Sequence, residues 1–195
     1  MYYVIYTSAG MEEKTENYIR TMIPADLYIK CFHPSRCIKK KFGGVWKDCY
    51  DALVPGYIFL QCNNIDAFYK EVRKNPKYLN ILGRSFENQS LGFYELNNEE
   101  VIWLKKLVGT PEDEDIEENA TAGVSSVEFG ENDEVIVLSG PLKDLVGHIK
   151  RINRHKRIAE VEMESFMGRK TVMYLGIDWV MKTQPKEEIS TEKNE

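Results

Sequence analysis

The segment from Thr110 to Ser126 constrains this chain more than any other. It holds six acidic side chains (Glu112, Asp113, Glu114, Asp115, Glu117 and Glu118) and no basic one. Thr110-Pro111 opens it, and a run rich in Ala, Thr, Gly and Ser closes it. Such a stretch offers little to bury, and like charges keep it extended. A chain of 195 residues interrupted there is expected to fold as two units, residues 1–109 and 127–182. The acidic linker 110–126 joins them and a polar tail, 183–195, follows.

The net charge is −5, from 26 basic and 31 acidic residues. The acidity is local to the linker and the tail, while residues 1–109 carry a basic surplus, so the total does not argue against nucleic-acid binding. A hydrophobic share of 43% excludes a wholly disordered chain. No apolar run approaches the ~20 residues of a membrane span, and Met1-Tyr2-Tyr3-Val4-Ile5-Tyr6 lacks the basic flank of a signal peptide. A cytoplasmic protein without a membrane partner is expected. Cys31, Cys37, Cys49 and Cys62 all fall in one third of the chain, which fits free thiols in a reducing compartment.

Tyr2 to Thr7 reads as a first strand. Met11, Thr15, Tyr18, Ile19, Met22 and Ile23 follow helical spacing up to Pro24, with Glu12, Glu13 and Glu16 in the first turns. Tyr28 to Phe32 and Cys37 to Phe42 are extended, and Gly43-Gly44 turns the latter into Val45 to Tyr50 as a hairpin. Val54 to Cys62 is the strongest strand. Ile65 to Lys74 is helical, Tyr78 to Leu82 is a strand, and Asn97 or Asn98 caps a last helix carrying Val101, Leu104, Leu107 and Val108. This order predicts an α+β unit with helices packed on an antiparallel sheet. Beyond the linker, Glu134–Leu138, Gly147–Asn153, Ile158–Met163, Lys170–Leu175 and Asp178–Met181 predict five short strands. Closure into a small SH3-like barrel would remove their edges.

The N-terminal residues resemble the NusG family of transcription elongation factors. The resemblance rests on Tyr2-Tyr3-Val4-Ile5, on Ser8-Ala9-Gly10 before a helix with Glu12-Glu13, on Val54-Pro55-Gly56-Tyr57-Ile58-Phe59-Leu60, and on Val72-Arg73 ahead of Pro76. The C-terminal unit resembles that family's KOW module, through Gly140-Pro141-Leu142, Leu145-Val146-Gly147, the turn at Asn153, Val161 to Glu164 and Gly168-Arg169. The resemblance implies a monomeric factor that is not an enzyme and uses no cofactor. It implies a grip on the clamp helices of RNA polymerase through an apolar pocket of Tyr2, Tyr6, Val54, Tyr57 and Phe59, with Leu104 and Leu107 from the last helix. Pro55 fixes φ and Gly56 permits a close approach, which aims Tyr57 outward. Burial in the core is the competing role for these aromatics, Tyr3 and Phe59 first.

Two departures from the family pattern point to a specialised paralogue of the LoaP antiterminator type, which reads an element of nascent leader RNA. Ser165-Phe166-Met167-Gly168-Arg169 places Met167 where the family's partner-docking loop has an aromatic residue. The turn Lys150-Arg151-Ile152-Asn153-Arg154-His155-Lys156-Arg157 holds five basic residues and a histidine without an acid. Charged turns are common on surfaces, but mutually repelling cations are relieved by an anionic partner, and arginine offers bidentate contact to phosphate or guanine. Lys150, Arg151, Arg154, His155, Lys156 and Arg157, extended by Arg169 and Lys170, are therefore expected to meet RNA. Lys39, Lys40 and Lys41 on the hairpin form a second patch, although hairpin lysines also protect sheet edges. Arg73, Lys74 and Lys77 offer a contact to DNA of the transcription bubble or a favourable end to their own helix. The alternative is a general NusG-type factor acting through protein contacts only.

Other chemistries find less support. Cys31-x-His33-x3-Cys37 is not a standard zinc spacing, and Pro34 intervenes. Asp48 and Asp51 alone do not make a nuclease centre. Phosphate-binding loops, zinc-protease motifs and nucleophile elbows are all missing.

Overall fold

The computed structural model describes residues 1–74, 93–130, 134–164 and 170–179. The expected strand Tyr78–Leu82, Lys77, the loop Ser165–Arg169 with its Arg169, and the tail lie outside the described residues.

Alternation along two strands organises the N-terminal unit. β1 (Tyr2–Tyr6) lies antiparallel to β5 (Tyr57–Gln61), with Tyr6 opposite Tyr57 and Val4 opposite Phe59. β2 (Lys30–Phe32) and β6 (Phe93–Glu95) complete a four-stranded sheet in the order β2-β5-β1-β6. Opposed residues share a face and neighbours alternate. One face therefore carries Tyr3, Ile5, Ile58 and Leu60. These pack with Ile19 of α1 (Glu12–Met22) and with Phe68 and Val72 of α2 (Ile65–Arg73). Cys31 and Cys62 lie in this same core, and burial pushes both thiols up.

The other face carries Tyr2, Val4, Tyr6, Tyr57 and Phe59 and clusters with Leu104 and Leu107 of α3 (Asn98–Val108). A sheet covered on both faces explains the unbroken apolar run Tyr57–Leu60. α3 starts at a capping box: Asn97 accepts the Glu100 N–H at 2.9 Å, and the Glu100 carboxylate accepts the Asn97 N–H at 2.8 Å. The hairpin of β3 (Ser35–Phe42) and β4 (Val45–Ala52) turns at Gly43-Gly44, both at positive φ.

The C-terminal unit comprises β8 (Ser125–Phe129), β9 (Val135–Ser139), a 3-10 segment Pro141–His148, β10 (Ile149–Asn153), β11 (Ile158–Glu164) and β12 (Lys170–Trp179). They form a five-stranded sheet in the order β10-β11-β12-β8-β9. The strand number matches the expectation, but two details differ. Ser125–Phe129 is a strand that begins inside the expected linker, and the expected strands Lys170–Leu175 and Asp178–Met181 share one element, β12. Among the described residues no ladder joins β9 to β10. Gly176, in the gap between those two expected strands, sits within β12. A β-carbon there would collide with the Cys37 carbonyl oxygen and lie 3.1 Å from Ile38 Cα. Its role is to let β12 press against β3.

The acidic segment, expected to stay extended, is docked on the N-terminal unit. Ile116 is fully buried, and Ala120 and Ala122 are buried with it. The Lys30 ammonium donates to the Ile116 carbonyl at 2.9 Å, and Arg20 pairs with Glu118 at 2.9 Å. β7 (Thr121–Ala122) adds in parallel to β3 at Ser35 and Arg36. The acids that argued for an extended segment face lysine, arginine and solvent, while the single large apolar residue of the acidic run turns inward.

Candidate functional site

The seven residues expected to grip a partner come from β1, the Val54–Phe59 stretch and α3, and the fold brings all of them into one apolar cluster. Their placement begins with Glu12 at the start of α1. Its carboxylate accepts the Gly56 N–H at 2.6 Å and the Gly10 N–H at 3.0 Å. Burial alone would raise its pKa, but the N–H groups of Gly56, Glu12 and Gly10 outweigh burial and hold it below the ordinary carboxylate range. Gly56 takes φ 85°, and a β-carbon there would sit 3.1 Å from the Thr7 carbonyl oxygen. This loop delivers Tyr57 to the edge of the sheet face. Tyr57 is half-buried, with its ring 4.9 Å from that of Tyr6 in an edge arrangement. Sequence reasoning assigned Glu12 only to the helix dipole and missed its hold on this loop.

The other five are buried. Val54, Phe59, Leu104 and Leu107 are between 0 and 3% exposed, and Tyr2 donates its hydroxyl to Asp115 of the docked linker at 3.4 Å. The Tyr2 hydroxyl is pushed up to about 12, by burial first and by the Asp115 carboxylate second. α3 also touches the 3-10 segment Pro141–His148, whose Leu142 and Leu145 join the cluster. The C-terminal unit therefore packs against α3, and of the seven residues Tyr6 and Tyr57 are the half-buried ones.

The basic turn divides into three parts. Arg151, His155 and Lys156 are exposed. Lys150 and Lys170 are tied to Glu162, which they hold below its ordinary value. Arg154 and Arg157 lie on aromatic rings. The Arg154 guanidinium stands 3.9 Å from the Phe129 ring centre. The Arg157 guanidinium stands 4.3 Å from both Trp179 and Trp46 and pairs with Asp178 at 2.6 Å. Trp46 belongs to the N-terminal hairpin, so Arg157 spans the seam between the units. Arg36 crosses it in the other direction, donating to the Tyr174 carbonyl at 2.9 Å. The hairpin lysines are also engaged: Lys39 with Asp48 at 2.9 Å and Asp178 at 3.5 Å, Lys40 with Asp51 at 3.2 Å, and Lys41 near the Trp46 ring at 6.0 Å. The aromatic partners Phe129, Trp179 and Trp46 were not singled out from sequence. In sequence all three lie more than twenty positions from that turn, so no local signal could have paired them with it.

A two-faced α+β sheet is thus followed by a small five-stranded sheet, with an apolar cluster on the first and a cationic turn on the second. Residues 1–102 match the family described as "Transcription termination factor nusG", and residues 131–164 match the KOW motif. The chain belongs to the NusG family of transcription termination and antitermination factors. It is 26% identical over 191 residues to the transcription termination/antitermination protein NusG of Thermus thermophilus, covering 93% of this chain and 97% of that protein. The solved structure titled "Domain interaction in Thermotoga maritima NusG" aligns at a TM-score of 0.51 and 25% identity, covering 90% of this chain and 92% of that one. A structure titled "Crystal Structure of MjSpt4:Spt5 complex conformation B" aligns at 0.29 and 15% identity, over 89% of this chain and 91% of that one. No helix among the described residues is long and apolar enough to cross a membrane.

Proposed function

We propose that this protein is an elongation and antitermination factor that grips the clamp helices of RNA polymerase with the apolar face of its N-terminal unit. We further propose that its cationic turn meets nascent leader RNA, as in a LoaP-type paralogue. The observation that carries the reading is the convergence of Tyr2, Tyr6, Val54, Tyr57, Phe59, Leu104 and Leu107 on one face. Tyrosine suits a groove between helices, because it combines a broad apolar ring with a polar tip. Full engagement requires the C-terminal unit to lift from α3.

The test is Tyr57→Ala in the full chain, with affinity for RNA polymerase and thermal melting measured together. Truncation of an anchor of this kind costs about 2 kcal/mol or more, so binding should fall by at least roughly tenfold while the fold survives. Loss of the fold, or unchanged affinity, removes Tyr57 from the interface. The second reading is a factor acting through protein contacts alone. It is favoured by the engagement of Arg154 and Arg157 with rings of the same chain.

A further inference from the structure

A groove of about 660 Å³ opens beside the cationic turn of the C-terminal unit. This is within the ~300–1,000 Å³ range of sites for small chemical groups. Phe129, Val135 and Ile149 give it an apolar floor, and Arg151 and Arg154 give it a cationic rim beside His155. No carboxylate lines it among the described residues. The Arg154 guanidinium lies over Phe129. Phe129 is in turn held by the edge of Trp179, at 6.0 Å between ring centres.

We propose that this groove is a stacking site for an unpaired nucleobase of single-stranded RNA, with the Arg154–Phe129 pair as its platform. The inference rests on the reading that this turn meets RNA, and it names the form of RNA taken. Phosphates alone would be served by mobile lysines on a convex surface. Here the cations surround a concave apolar floor, and one of them is a planar guanidinium already seated on a ring. A nucleobase has the matching shape: a flat π-face for the platform and, one bond series away, a phosphate for Arg151 and His155. A duplex hides its bases in its own stack and cannot enter. Charge complementarity also admits an acidic peptide, but a peptide carbonyl chain makes less of a flat cation–ring platform than a base does.

The experiment uses the full-length chain and three labelled probes of equal length: an oligouridylate, an abasic ribose-phosphate strand and an RNA duplex. Anisotropy titrations are run across salt concentrations for wild type, Phe129→Leu and Arg154→Lys. Phe129→Leu keeps apolar volume without a ring, and Arg154→Lys keeps charge without a plane. If Phe129→Leu does not fold by circular dichroism, Arg154→Lys carries the comparison. Stacking of one base is worth about 1–3 kcal/mol, so wild type should prefer oligouridylate over the abasic strand by roughly fivefold or more. Both variants should erase that preference and leave the salt slope unchanged. Equal affinity for the oligouridylate and abasic strands overturns the stacking site while leaving backbone contact in place. Failure to bind any of the three probes defeats the RNA reading itself. Ring-dependent binding of a Glu- and Phe-rich peptide, tighter than oligouridylate, overturns the choice of occupant.

Discussion

Gly176→Ala should open the seam between the two units without damaging either. The backbone at Gly176 is not in the left-handed region, so alanine fits the strand itself. The obstacle is across the seam, where the new methyl group meets the Cys37 carbonyl oxygen and Ile38 Cα. Both are backbone atoms of a paired strand, which cannot swing aside as a side chain would. Overpacking of this kind costs typically 1–3 kcal/mol. Moving β12 away from β3 also puts at risk the Arg36–Tyr174 hydrogen bond and the placement of Arg157 between Trp46 and Trp179. The ratio of open to closed molecules should rise by roughly five- to 150-fold, from the overpacking cost alone. In a Trp103→Phe background the remaining tryptophans are the two that enclose Arg157. Their emission should shift to the red and become more accessible to acrylamide, while each unit retains its melting transition. Unchanged quenching at a wild-type melting temperature would refute the claim that this glycine sets the approach. Collapse of the C-terminal sheet would show that the strain falls within β12 instead.

Two further outcomes follow from the docked linker and its surroundings. Ile116→Ala should destabilise the protein by about 2–5 kcal/mol, the range for a large aliphatic residue lost from a filled core, and should speed proteolysis between Thr110 and Ala122; a denaturant titration and a protease time course check this. His33 accepts or donates a 2.5 Å hydrogen bond with Glu16, and that bond first, against the opposing effect of burial, raises its pKa above the usual 6.5. A raised folded value means that this pair stabilises fully below the unfolded pKa and loses its contribution as pH rises through the folded one. Melting temperature should therefore fall as pH climbs above about 6.5, and His33→Gln should flatten that fall; parallel slopes for the two proteins would remove His33 from the linkage.

Elements whose causes are local are legible in the amino-acid order alone. Alternation in Tyr2–Tyr6 and Tyr57–Gln61 assigns each strand side chain to a face; the seven interface candidates themselves came from the family resemblance, which no periodicity supplies. Asn97 and Glu100 mark a helix start, and Gly43-Gly44 marks a hairpin, because caps and turns satisfy backbone groups within a few residues. Tertiary structure decided the rest. Ile116 is one apolar residue among acids, and nothing in its neighbourhood says that Lys30, Arg20 and the edge of β3 would receive the segment around it. Gly176 looks like punctuation until Cys37 arrives against it. Arg157 belongs to a cationic turn in sequence, yet the ring of Trp46, more than a hundred positions away, takes it into the seam. Periodicity records which side of an element is apolar. It carries no record of which distant surface will cover that side, because that choice is made by the combined shape and charge of chain segments that meet only on folding.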